Sequence, residues 1–240
     1  MAIQTADAIV LRRYPFRETS ITLSCLTDRF GKMKGLVKGL RAQPNRHRSA
    51  MEPATVNRIV FYETRTSTLH LISQCELLEP WAGLQRDLET ARRAALCLEI
   101  VDTVVPLEEP QPAIYHLLKD TLGRLALGGL DAGSVKVHFL IRLLRLVGFQ
   151  PQLSQCTGCN ALVQGQGYWS VRQGGLLCGR CLHEEPKAGV VSAGLLEAFE
   201  QLALADQPMR YDEPLLTMLA QRLDEFLRWR LDRPLRTLTT

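Results

Sequence analysis

Cys156, Cys159, Cys178 and Cys181 form two C-x2-C pairs separated by 18 residues. Each C-x2-C turn aims two sulfurs at one point, so two such turns can close a tetrahedral thiolate cage around Zn²⁺. Gly158 lies inside the first pair and Gly179 inside the second, where the tight bends are easiest. With cysteine at all four positions, no coordination site is left for water or substrate. The cage therefore reads as one structural zinc ion rather than a catalytic one. The segments before the pairs, Pro151–Gln155 and Gly174–Leu177, suit a turn and a short hairpin, as in a zinc ribbon. A redox C-x-x-C would sit where a strand enters a helix, and a disulfide would need an oxidising compartment. Cys25, Cys75 and Cys97 lie among apolar neighbours and read as buried thiols. His183 reads as a surface histidine beside a ligand set that is already complete.

The cage needs elements to hold it. In 240 residues, 46% of them apolar and 22% charged, there is room for one large or two to three small domains. The most apolar helix candidate, residues 134–147, is interrupted by Lys136, His138, Arg142 and Arg145, so no membrane span is expected. The first seven residues lack the basic and apolar parts of a signal peptide. Seven cysteines, four in a metal pattern, suit a reducing cytoplasm.

The net charge of +4 is unevenly placed: residues 1–80 carry 12 Lys and Arg against 7 Asp and Glu, and the rest carry 17 against 18. The basic run is Arg29, Lys32, Lys34, Lys38, Arg41, Arg46, Arg48 and Arg58, opposed between its ends by Glu52 alone. Charge clustered in this way is the footprint of a polyanion partner, most often nucleic acid.

Residues 1–80 read as five strands, at about 8–13, 20–27, 32–38, 54–62 and 69–77, with turns at 28–31 and 64–67. Alternation puts Lys32, Lys34 and Lys38 on one face of the third strand and Met33, Gly35 and Val37 on the other. Residues 41–48 form a basic loop. Five short strands with a basic face predict a closed barrel of the OB type. The same pattern also fits a small open sheet packed on the helical region.

After Pro80, Leu84, Leu88, Ala91, Ala95 and Leu98 step at helical spacing. Further helices are predicted over about 112–127, from Asp131 or Ser134 to Gly148, over 192–205 and over 212–231. The expected class is α+β: a barrel over 1–80, an α-helical domain over 81–150 and 188–240, and a zinc ribbon over 151–187 appended to it as a knob. Glu99 and Asp102 read as a solvated helix face.

No Walker loop, G-x-G-x-x-G, H-E-x-x-H or G-x-S-x-G occurs, and the five histidines lack a recurring carboxylate partner. A non-enzymatic binding protein is expected.

Residues 8–12 and 17–20, then Leu26-Thr27-Asp28-Arg29-Phe30-Gly31-Lys32, Val37-Lys38-Gly39-Leu40-Arg41 and Leu143-Leu144 through Gly148-Phe149-Gln150-Pro151, are similar in order to the RecO family. That is a family of bacterial DNA repair and recombination mediators. Arg233-Pro234-Leu235-Arg236-Thr237 resembles its basic C-terminal segment, with Arg-Thr where the family usually has Lys-Ser. The resemblance implies an OB fold, a helical domain and a zinc ribbon. It implies binding of single- and double-stranded DNA, annealing of complementary strands, work with RecR on strands coated by single-stranded DNA-binding protein (SSB), and loading of RecA. It also implies a place in the cytoplasm with the nucleoid.

On this reading Arg12, Arg29, Lys32, Lys34, Lys38, Arg41, Arg46 and Arg48 are the candidate DNA contacts. Binding is expected to be electrostatic rather than led by stacking: Tyr14, Phe16, Phe30 and Tyr62 are the candidates for base stacking, but with 6% aromatic residues most of them read as core. Lys136, Arg142 and Arg145 are the candidate cations of a groove for the acidic, apolar-ended SSB tail. The competing reading is a zinc-stabilised protein-interaction scaffold without direct DNA binding; a nuclease is a remote third.

Overall fold

The computed structural model describes residues 2–38, 51–64, 67–231, 235 and 237. Strands β1 (Ala2–Phe16), β2 (Ser20–Thr27), β3 (Lys32–Val37), β4 (Val56–Glu63) and β5 (Leu69–Glu79) close into a barrel in the order β1-β2-β3-β5-β4. Every pairing is antiparallel except β3 with β5. This is the OB connectivity, and the open-sheet alternative falls away.

β1 is longer than its sequence pattern announces, because it serves two partners. Ala2–Ile9 pairs with β4, and Ala8–Phe16 pairs with β2, with a register shift between Val10 and Arg12. In its first half Ala2 and Ile3 are both exposed and the buried positions are the small Ala6 and Ala8, so the period-two signal is weak there. Ile21, Leu23, Cys25, Met33, Ile59, Phe61 and Ile72 fill the barrel. Gly31 turns the chain from β2 into β3 at φ +70°, and a Cβ there would run into the Glu109 carbonyl.

Helices follow: α1 (Leu88–Val104), α2 (Pro112–Leu127), α3 (Ala132–Leu146), α4 (Ala193–Leu204) and α5 (Glu213–Arg230). The first starts later than its apolar spacing suggests. Residues 82–85 form a separate 3-10 turn, and Asp87 caps α1 by accepting from the Thr90 N–H at 2.7 Å. Asp131 caps α3, Ser192 caps α4 and Asp212 caps α5 in the same way. Between α3 and α4 lies a three-stranded antiparallel sheet, β6 (Gly167–Ser170), β7 (Gly175–Leu177) and β8 (Gly189–Val191), in the order β7-β6-β8.

The chain divides into two compact units, Met1–Gly128 and Gly129–Thr240. The first holds the barrel with α1 and α2; the second holds α3, α4, α5 and the small sheet. The sheet is built into its unit rather than hung from it as a knob. Trp169 of β6 is 3% exposed and stacks on Phe199 of α4, with ring centroids 5.4 Å apart and planes 2° apart. It also meets Phe226 of α5 at 5.8 Å. No helix among the described residues is long and apolar enough to cross a membrane.

Candidate metal centre and nucleic-acid interface

The four cysteines converge. Cys156 and Cys159 lie on the turn before β6, and Cys178 and Cys181 on the turn after β7. Their sulfurs all lie within 4.8 Å of one another, and Cys159 Sγ is 3.7 Å from Cys178 Sγ. A tetrahedron with metal–sulfur bonds of about 2.3 Å has edges of about 3.8 Å, so the cluster has the size of a four-thiolate cage.

The surrounding backbone favours thiolate. Burial alone would raise Cys156, but N–H groups of Cys178, Gly158 and Cys159 outweigh it and hold that thiol below its ordinary value. Cys178 is pulled down to about 6, first by the Cys181 N–H. Cys181 is pushed up to about 12 by burial, with the Cys159 and Cys156 sulfurs adding to the effect. Four sulfurs this close cannot all carry negative charge unless a cation sits among them. The donor set and its size fit a metal ion.

The predicted cations separate into groups. Lys34 is exposed on the outer face of β3, and Lys38 is exposed just past the strand's end. Lys32 points to that face as alternation requires, but α1 and the residues after it cover it. Its Nζ donates to the Asp102 carbonyl at 2.5 Å, and the Glu108 N–H donates to its carbonyl at 2.8 Å. Burial lowers the Lys32 ammonium below its usual value; Asp102 opposes this, while Lys34 and Arg12 add to it.

Arg12 joins the same latch. Its Nε lies 2.7 Å from Asp102 Oδ2 and its Nη2 3.3 Å from Glu99 Oε1, while Ser24 Oγ donates to Asp102 Oδ1 at 2.6 Å. Glu99 and Asp102 are therefore not a solvated helix face: they fasten α1 to the outside of the barrel. Burial would lower Arg12, but the Tyr14 hydroxyl, Asp102 and Glu99 together raise it.

Arg29 is exposed on the turn before β3, donates to the Thr5 carbonyl and lies 5.5 Å over the Phe30 ring. Arg41, Arg46 and Arg48 lie outside the described residues, as do Arg233 and Arg236.

The three cations assigned to a peptide groove also differ in place. Lys136 is 1% exposed, and its Nζ meets Asp224 Oδ2 of α5 at 2.6 Å. It is an interior residue of the helical unit and not a groove edge, because α3 is buried along most of its length. Arg142 donates to the Ala205 carbonyl at the end of α4 and to Asp206 Oδ1 at 3.1 Å. Arg145 is exposed beside Leu146, with Phe149 nearby in sequence. Sequence reasoning missed the Arg12–Asp102 latch and the Trp169 anchor. Both join residues far apart in the chain, and no local periodicity signals them.

A cationic OB barrel and a four-thiolate cluster of the size of a metal cage define a protein that works by binding. Residues 1–81 match the family model described as "Recombination protein O N terminal", and residues 85–239 match "Recombination protein O C terminal". The "DNA repair protein RecO" of Moorella thermoacetica is 31% identical over 238 residues, covering 97% of this chain and 88% of its own length. That of Pelotomaculum thermopropionicum is 30% identical over 243 residues, covering 99% and 93%. The chain belongs to the RecO family of non-enzymatic DNA repair and recombination proteins.

Proposed function

We propose that this protein is a recombination mediator that binds single- and double-stranded DNA, anneals complementary strands and, with RecR, helps RecA load onto SSB-coated single strands. The observation that carries the reading is the pair Lys34, exposed on the outer face of β3, and Lys38, exposed just past its end, in an OB barrel. Strands β2 and β3 are where this fold takes oligonucleotides. Lysines there neutralise phosphates without reading sequence, and annealing requires the repulsion between two polyanions to be screened. Arg29 extends the cationic surface in this reading, and Arg41, Arg46 and Arg48 are its further candidate DNA contacts. The working modules are the barrel of 1–80, the helices of 81–150 and 188–240, and the ribbon of 151–187. The cage holds one structural Zn²⁺ that shapes the ribbon and does not touch DNA.

A narrower proposal concerns the SSB tail. Arg142 and the exposed Arg145 stand beside Leu146 and Phe149, each 43% exposed, which suits an acidic peptide with an apolar end.

The test is annealing of complementary strands, bare and SSB-coated, over a salt series. Annealing that survives the coating and falls steeply with salt is expected. The double variant Lys34→Glu, Lys38→Glu is expected to lose most of it and to flatten the salt dependence by about one to two units of slope. Absence of DNA binding leaves the scaffold reading instead.

A further inference from the structure

The outside of the barrel carries a continuous row of largely apolar side chains that no stretch of sequence contains. Tyr14 of β1 is paired with Thr22 of β2, Thr22 with Leu36 of β3, Leu36 with Leu71 of β5, and Leu71 with Tyr62 of β4. All five point away from the barrel core. Tyr14 is 48% exposed and the other four are half-buried. Single exposed apolar residues are ordinary, but a contiguous row is not. Adjacent strands lie about 4.8 Å apart, so Tyr14 to Leu71 spans about 14 Å across four strands.

The surroundings of the row select its occupant. Lys34 stands two residues before Leu36 on the same face of β3 and the exposed Lys38 follows two residues after Leu36, just past the strand's end, so cations flank the apolar row. Arg17 lies 5.3 Å over the Phe16 ring, two residues from Tyr14. A partner that is flat and apolar between negative charges fits this pattern: unpaired bases on a phosphate backbone.

We propose that the row is a base-stacking platform, with Tyr14 taking an unpaired base, Leu36 and Leu71 supporting its neighbours, and Lys34 and Lys38 holding the phosphates. The proposal rests on reading the barrel as the DNA-binding surface. It goes beyond that reading in assigning part of the affinity to bases. Bases in a duplex stack on one another and are not offered to a protein surface, so the platform makes the barrel prefer single strands. It also replaces the purely electrostatic binding expected from composition.

The test uses the full chain and three probes: an oligothymidine, an abasic strand of equal length and a duplex, each titrated over a salt series. Tyr14→Ala is expected to weaken oligothymidine binding roughly tenfold, as for loss of one stacked base, with the salt slope unchanged. Abasic and duplex binding are expected to hold, and Tyr14→Phe is expected to keep wild-type behaviour. Equal losses on all three probes, or no loss on oligothymidine, overturn the platform. So does a Tyr14→Ala effect seen only in self-association, which would make the row a contact between copies. Lys34→Glu, Lys38→Glu separates the two levels. If it abolishes binding while Tyr14→Ala changes nothing, the platform alone fails. If neither variant alters DNA binding, the barrel reading fails and the platform with it.

Discussion

Arg12 Nε of β1 lies 2.7 Å from Asp102 Oδ2 of α1, and the same carboxylate accepts a hydrogen bond from Ser24 of β2. One side chain near the end of a helix thus ties two strands of the barrel to α1.

That arrangement predicts that Arg12 and Asp102 matter more for stability than for DNA contact. Asp102→Ala leaves Arg12 half-buried without its nearest carboxylate and strips Ser24 of its acceptor. The expected cost is about 2–3 kcal/mol, below the full figure for a buried pair because Arg12 keeps some solvent. Chemical denaturation measures it. Arg12→Ala is expected to lower the unfolding midpoint while leaving the salt slope of DNA binding in place. A slope reduced by a full unit would return Arg12 to the phosphate contacts.

Lys136 and Asp224 form the corresponding pair inside the second unit, at 2.6 Å with Lys136 fully buried. Lys136→Ala strands a carboxylate and is expected to cost about 3–5 kcal/mol. The double change Lys136→Met, Asp224→Leu replaces the pair by apolar volume and is expected to be near neutral or stabilising. Comparing unfolding free energies of the single and double variants decides whether the pair is needed for stability or tolerated.

The thiolate cage predicts one zinc per chain by elemental analysis. Chelation or Cys178→Ser is expected to lower the melting temperature of the second unit before it alters oligonucleotide affinity, because a structural metal contributes its binding energy to folding. A zinc-free variant that stays folded yet loses DNA binding selectively would assign the ribbon a direct contact instead.

Trp169 predicts how firmly the ribbon is held. Stacked on Phe199 and tilted on Phe226, its replacement by Ala is expected to cost about 3–5 kcal/mol while leaving the cage able to bind metal. Zinc retention with a lowered unfolding midpoint is the expected pair of readings. Zinc loss in the folded state would show that the ribbon depends on the helices for its cage.

Much of the fold is legible locally. β2 and β3 follow from period-two patterns and the other strands from apolar runs bounded by turn residues, although the first half of β1 is not signalled, and Asp131, Ser192 and Asp212 mark helix starts by chemistry that acts within one turn. The cage was legible for the same reason: both C-x2-C pairs are local, and cysteine has few other reasons to recur at that spacing. The face of β3 was also legible, since alternation sets the direction of Lys32, Lys34 and Lys38. What lies over that face was not. Lys32 and Lys34 are equivalent in the pattern, yet one is covered by residues some seventy positions away and the other meets solvent.

By itself, then, the sequence determined most of the elements, the alternation of side chains along β2 and β3 and the four sulfurs of the metal site, all of which depend on neighbours within a few residues. Only the tertiary structure decided which charges are spent inside: Arg12 and Lys32 on α1, and Lys136 on Asp224. It also decided that Tyr14, Thr22, Leu36, Leu71 and Tyr62 stand in one row. The physical reason is the same in each case. Burial and strand register are properties of pairs distant in the chain, and a one-residue change of register would scatter that row to opposite faces of the sheet.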